Sequence, residues 1–279
     1  LEKRTLLSAA QLIAIGVDPK LCTLFIQSHV PAHNQLAWVL ECITGFGEAG
    51  RMTQFKDKSQ KGGADRTNVG LFTYPILQAA DILLYQADFV PVGEDQRQHV
   101  ELTRDIAQRM NNRYNDIFTV PKPLIAEIGA KIMSLSEPMN KMSKSDENEK
   151  SRINLLDPEN IIRKRINSAM TDSLGTIKYD PENRPGISNL MTIHSVISGE
   201  SFKDIEATYE GKGYKEFKND LGEIIYQELK PIQERYKQLI TSNELDDILD
   251  KGRDVASKVA YKKIMKLNDR IGLGRKRRK

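Results

Sequence analysis

Long apolar runs are missing from this chain. No stretch of about 18 or more apolar residues occurs in its 279 residues, so no transmembrane helix is expected. Cysteine is scarce. Cys22 and Cys42 are the whole supply, and the opening does not read as a secretory signal. A disulfide framework is therefore not expected, and a reducing compartment is, cytoplasmic or organellar. His29 and His33 lie between the two cysteines, but the spacing matches no usual zinc pattern and Pro31 divides the interval. Ordinary structural roles are expected for all four, with no metal site. An excess of one charge is missing too. The net charge is +4, and five of the 42 basic residues form the closing "RKRRK" (275–279). The remainder is 37 basic against 38 acidic, a near-neutral body with a basic tail. A solvated end is the plain reading of that tail, and a sequence-independent contact with phosphates is the functional one. Apart from it, no repeat or low-complexity segment occurs.

What is present can fold. At 39% hydrophobic and 29% charged, the chain can bury a core and stay soluble, as one large domain or two smaller ones. The opening "LEKRTLLSAAQLIAIGV" reads as an amphipathic helix over roughly 3–16, already under way, so the start is expected to lie upstream of Leu1. "CTLFIQS" (22–28) has β character, and a helix follows near "AHNQLAWVLECITGF". The polar segment 52–67, with Gly62 and Gly63, reads as a loop. A helix over 72–87 beginning around Pro75, a strand over 88–93 and a helix over 94–110 come next. Strands and helices in alternation predict an α/β fold with a parallel sheet. After about residue 155 only helical patterns remain. Asp157-Pro158 reads as a cap and first-turn proline, and Pro231 should kink or interrupt a long amphipathic helix.

Three constellations carry chemistry. The first is Lys141-Met142-Ser143-Lys144-Ser145, two ammonium groups and two hydroxyls in a loop without apolar periodicity. Such a loop can wrap a polyphosphate and place donors where negative charge grows during nucleotidyl transfer. An exposed basic turn has the same charge pattern, but the exact string is specific. The second is "VPVGEDQRQHVELTRD", where a strand ends at Gly93 and a helix begins. Glycine lets backbone approach a ligand, a helix N-terminus offers amides, and an acidic residue suits ribose hydroxyls. The third is "TYPILQAADILLY". Tyr74, Gln78, Asp81 and Tyr85 fall at i, i+4, i+7 and i+11, on one helix face. A carboxylate there is either a satisfied core group or the acceptor at the base of a small pocket.

The five-residue string matches the lysine-methionine-serine-lysine-serine (KMSKS) signature of class I aminoacyl-tRNA synthetases. Together with "RMTQFKDKS", "YPILQAADILLY", "VPVGEDQRQHVELTRDIAQR" and "SAMTDSLGTIKYDPENRPGISNL", it makes the chain resemble, nearly end to end, the tryptophanyl-tRNA synthetases of bacteria and organelles. The resemblance implies a Rossmann-like doubly wound parallel sheet, incomplete at its N-terminus, over 1–155. An α-helical anticodon-reading domain over 156–279 would follow. It implies activation of tryptophan with ATP and magnesium, transfer to tRNA(Trp), and a homodimer. Carried over by matching residue, Asp81 would accept the indole N–H, and Tyr74 and Gln96 would hold the α-amino group. Val90 and Val92 would line the indole pocket. Gly93 and Asp95 would contact ribose, and Ile132 and Met142 the adenine. Lys141, Lys144 and Ser145 would hold the phosphates, with Lys58. Two departures stand out. Gln78 with Tyr74 and Asp81 has the spacing of a tyrosine-selective pocket, which makes a tyrosyl enzyme the alternative. The histidine-x-glycine-histidine or -asparagine signature of the class follows none of His29, His33, His99 or His194. The first strand and helix that bear it are expected before Leu1, or else the chain is a truncated, noncatalytic tRNA-binding relative.

Overall fold

The helix expected at the start forms as α1 (Glu2–Ala14) and buries Ala9, Ala10 and Ile13. The computed structural model describes residues 1–53, 55, 68–125 and 131–274. A 3-10 turn at Gln27–His29 precedes α2 (Ala32–Glu41), α3 (Phe46–Gly50), α4 (Val69–Leu83), β1 (Phe89–Pro91), α5 (Arg97–Tyr114) and β2 (Lys122–Leu124). Helices α6 (Glu159–Ser168), α7 (Pro185–Ser198), α8 (Phe202–Thr208), α9 (Tyr214–Ile240) and α10 (Glu244–Ile271) follow. The two strands pair in parallel, Phe89 with Lys122 and Pro91 with Leu124, and α5 is their crossover. The protein is thus mixed α/β with a small parallel sheet and a helical C-terminal region. β2 was not anticipated, because Pro123 sits in its centre and cannot donate to a ladder.

Packing divides the chain into two units, Leu1–Val17 with Ile128–Asn243, and Asp18–Glu127 with Glu244–Lys279. The last strand among the described residues ends at Leu124, but packing follows which apolar faces bury each other. In the first unit α1 lies on α9. Its core gathers Ile162 and Ile166 of α6, Ile187, Leu190 and Met191 of α7, and Phe217 and Leu221 of α9. In the second unit α10 returns to α2. Ala256, Ala260, Ile264 and Leu267 join Leu36 and Leu40 of α2, Ile76, Ala79 and Leu83 of α4, and Ile106 and Met110 of α5. Each fully buried leucine or isoleucine among these contributes about 1.5–3 kcal/mol.

Four local expectations are corrected. Residues 22–28 form no strand. Their backbone runs against α10, so close that a side chain at Gly252 would collide with the Leu24 carbonyl. Helix α4 begins at Val69, not at Pro75, because the Asn68 side chain caps it by accepting from Leu71 N–H at 2.9 Å. Pro158, not Asp157, stands at the N-cap of α6, and the Asp157 carboxylate accepts from Asn154 N–H at 2.7 Å and pairs with buried Arg165. Pro231 does not interrupt α9, which runs through it for 27 residues. The proline forfeits one backbone bond. The helix is anchored on both sides of it, by buried Leu221 and Ile225 before and Leu239 after, and by Gln233, whose amide donates to the Leu155 and Asp157 carbonyls at 2.9 Å.

One polar cluster ties the first unit's loop after α6 to α7 and α9. Arg184 Nε donates to Asp172 Oδ2 at 2.8 Å, and its Nη2 reaches the Thr176 carbonyl at 2.6 Å and the Tyr214 hydroxyl at 2.8 Å. Tyr214 donates in turn to Asp172. The Arg184 bonds, with Tyr214 behind them, hold the Asp172 carboxyl down at about 2. Because the folded value lies below the unfolded one near 4, this stabilisation is present above pH ~4 and is lost as pH falls toward ~2. We expect Asp172→Asn to cost about 2 kcal/mol at neutral pH and to flatten the acid limb between pH ~4 and ~2 in urea melts. Parallel acid limbs in the two proteins would remove Asp172 from this role.

Candidate active site

In the second unit, α4 buries Ile76, Ala79, Ala80 and Leu83 on one side and leaves Tyr74, Gln78 and Asp81 partly exposed, as the spacing predicted, while Tyr85, also partly exposed, stands in the turn just past its end. The Asp81 side chain is 32% exposed, so it is not a core group. Both its oxygens are held. Gln27 Nε2 donates to Oδ2 at 2.7 Å and His33 Nδ1 to Oδ1 at 2.6 Å. The carboxylate can only accept, so Nδ1 carries the proton, and in the neutral ring Nε2 accepts from the Tyr85 hydroxyl at 2.9 Å. Burial, and then the Asp81 charge, push the Tyr85 phenol up to about 12, keeping it a donor. Each Asp81 oxygen retains lone-pair capacity for a further donor.

A second relay starts at Tyr74. Gln96 Oε1 accepts from His99 Nδ1–H at 2.8 Å, and the other ring nitrogen lies 3.1 Å from the Tyr74 hydroxyl. Gln96 Nε2 then donates to Asp95 Oδ2 at 3.0 Å. The Tyr74 hydroxyl thus meets a His99 ring that Gln96 orients. His99 itself is buried. The strand expected over 88–93 is shorter, and a 3-10 turn at Glu94–Gln96 stands between it and α5. Gly93, Asp95 and Gln96 therefore lie on a turn, not in the first turn of an α-helix. A side chain at Gly93 would crowd Asp95 Oδ1, at 2.8 Å from its Cβ. Val90 sits half-buried in β1, and Val92 donates its N–H to the Leu124 carbonyl at 3.1 Å.

In the first unit the lysine loop leaves a short antiparallel ribbon in which Met133 bridges Lys141. Ser134 N–H donates to the Asn140 carbonyl at 2.8 Å and Met142 N–H to the Ile132 carbonyl at 3.2 Å. The side chains of Ile132 and Met142 rest against the unit's core. Beyond the ribbon, Ser143 and Ser145 join hydroxyls at 2.9 Å, and Arg152 Nη1 donates to the Asp146 carbonyl at 2.7 Å. A cavity of about 630 Å³ opens here, lined among others by Ile132, Met142, Lys131, Lys141, Lys144 and Arg152. Its described lining holds four cations and no carboxylate, a setting for a polyanion with an apolar edge. Ser145 is outside that lining, and Lys58 and the tail 275–279 lie outside the described residues. Among the described residues no group of three or more His, Cys, Asp or Glu is placed to hold a metal ion.

Sequence reasoning missed Gln27, His33, His99, Lys131 and Arg152. His33 and His99 carried no motif, and their roles come from partners 48 and 25 residues away.

The family model of the class I tRNA synthetases (W and Y) matches residues 1–230. The tryptophan–tRNA ligase of Bacillus subtilis is 56% identical over 270 residues, 97% of this chain and 81% of that protein. That of Listeria monocytogenes is 56% identical over all 279 residues and 84% of its own length. The tryptophanyl-tRNA synthetase of Campylobacter jejuni, solved with ADP and tryptophan, superposes with a TM-score of 0.85 at 36% identity, over 97% of this chain and 83% of that one. The chain belongs to the class I tRNA synthetases of the tryptophan and tyrosine group, in the bacterial-type tryptophanyl branch.

Proposed function

We propose that this chain is a tryptophan–tRNA ligase. It activates tryptophan with ATP to tryptophanyl-adenylate and pyrophosphate, and then passes the acyl group to tRNA(Trp). The observation that carries the reading is Asp81, a part-exposed carboxylate held from behind by two donors on an otherwise apolar helix. Such an acceptor suits an indole N–H, and a site built to bond a polar group rejects analogues lacking it by roughly 10⁴–10⁵.

In the first step a carboxylate oxygen of tryptophan attacks the α-phosphorus of ATP, and the bond to the β-phosphate bridging oxygen breaks. Charge grows on the departing pyrophosphate, where fixed cations act most. Lys141 and Lys144 are assigned that task, with Ser145 and Lys58 in support. Ile132 and Met142 are assigned to the adenine, and Gly93 and Asp95 to the ribose. Tyr74 and Gln96 are assigned to the α-amino group. Val90 and Val92 would line the indole side. Magnesium is proposed to arrive on the ATP phosphates as part of the substrate.

The helical region from 156 is proposed to read the anticodon, with the basic tail as a phosphate contact, and a homodimer is the proposed assembly. The second unit carries exposed Trp38, Phe46 and Val69, apolar area that a second copy could cover. No helix among the described residues is long and apolar enough to cross a membrane. Tyrosine is the second reading, because Gln78 stands between Tyr74 and Asp81 on the α4 face. The curated relatives at 54–57% identity, all tryptophan–tRNA ligases, support tryptophan over it.

Amino-acid-dependent ATP–pyrophosphate exchange decides between them. Exchange with tryptophan and not tyrosine is expected, and exchange with neither would favour the noncatalytic relative. Lys144→Ala should slow adenylate formation far more than it weakens tryptophan binding, and equal losses would sink the phosphate role of the loop. Asp81→Ala should erode discrimination against tryptophan analogues that lack the ring N–H. If discrimination is untouched, Asp81 does not meet the indole.

A further inference from the structure

The ribbon under the lysine loop has an edge that no strand covers among the described residues. Met133 and Lys141 face each other as a non-hydrogen-bonded pair, since the flanking bonds run from Ser134 to Asn140 and from Met142 to Ile132. In such a pair the N–H and C=O of each residue point away from the partner. The two polar groups of Met133 therefore face outward, where an adjoining strand would normally take both.

A single side chain takes them instead. Asn189 Oδ1 accepts from Met133 N–H at 2.8 Å, and Asn189 Nδ2 donates to the Met133 carbonyl at 2.9 Å. Asparagine carries one acceptor and one donor group on a planar amide, so it can imitate the edge of a strand. Asn189 is buried, 5% exposed, and α7 gives it a fixed base. Ile187, Leu190 and Met191 are in the core, the neighbouring Ser188 Oγ accepts from Asp180 N–H at 2.9 Å, and Arg184 at the head of α7 holds Asp172. On the far side of the loop, Arg152 grips the Asp146 carbonyl. The segment bearing Lys141 and Lys144 thus runs between two fixed points, and the side chains of both lysines stay exposed.

We propose that Asn189 is a positioning residue for the adenylation chemistry: by clamping both backbone groups of Met133 it fixes the stem of the Lys141–Ser145 loop, and so the place from which Lys141 and Lys144 reach the phosphates of ATP. This rests on the ATP reading of the loop. A misplacement of about 1 Å at such a loop can cost roughly 10²-fold in rate. Asn189 touches no substrate in this scheme and acts only through the ribbon.

The test compares Asn189→Ala and Asn189→Asp in the full chain. The aspartate keeps the shape but sets a second acceptor against the Met133 carbonyl, so it carries the test if the alanine variant folds poorly. Three quantities are read: ATP–pyrophosphate exchange as kcat and KM for ATP, the tryptophan dissociation constant without ATP, and amide hydrogen exchange over 132–134 and 141–146. Expected are a fall of about 10²-fold in kcat/KM for ATP, tryptophan binding within about twofold of the parent, and faster amide exchange in both segments. A folded variant with unchanged pyrophosphate exchange would overturn the proposal, and so would equal losses in tryptophan binding and ATP turnover. If the parent chain itself shows no pyrophosphate exchange with any amino acid, the ATP reading fails. The clamp is then judged by amide exchange alone: slow exchange at Met133 that quickens in both variants sustains it, and no change overturns it.

Discussion

A carboxylate on an apolar helix must be held by donors, and much of the second unit's candidate site depends on how Asp81 meets that requirement. His33 and Gln27 supply the donors, one to each oxygen. The bond to His33 fixes that ring, and the ring fixes Tyr85, whose phenol is pushed up to about 12 by burial and the Asp81 charge. Phe25 completes the aromatic wall, with centroids 5.8 Å from His33 and 5.7 Å from Tyr85. A hydrogen bond to a charged group contributes about 1.5–3 kcal/mol, more than a neutral one. That is enough to hold one rotamer at each residue and to leave the acceptor pointing outward.

The same economy of partners appears around Tyr74. Its hydroxyl meets a buried histidine whose Nδ1 proton is committed to Gln96. The result is a chain of hydrogen bonds that runs from Tyr74 through His99 and Gln96 to Asp95. In the first unit the logic is electrostatic. Lys131 and Arg152 join the two loop lysines around one cavity, so the field there is stronger than the five-residue motif alone supplies.

The candidate site was legible in part, for a physical reason. Residues that act through a local spacing could be read directly. Tyr74, Gln78 and Asp81 share a helix face because of the 3.6-residue period, and Lys141 and Lys144 share a loop because they stand three apart in a stretch without apolar periodicity. Residues that act through a distant partner could not. His33 and His99 are unremarkable in sequence, and Asn189 lies in a helix 56 residues from the carbonyl it holds. The misreading at 22–28 has the same origin. An apolar run with β character can serve a strand or a segment laid against a helix, and only the approach of Gly252 decides which.

By itself, then, the sequence determined the class of fold, the family, and the residue types of the chemistry, because periodicity and exact motifs are local properties of a chain. Tertiary structure decided which unit each helix joins, which ring nitrogen of His33 and of His99 donates, and which side chains stand behind Asp81 and Met133. Those are matters of burial and of hydrogen-bond partners. They arise only when segments far apart in the chain are brought within about 3 Å, where a donor must find an acceptor or remain unpaired at a cost of roughly 1–3 kcal/mol.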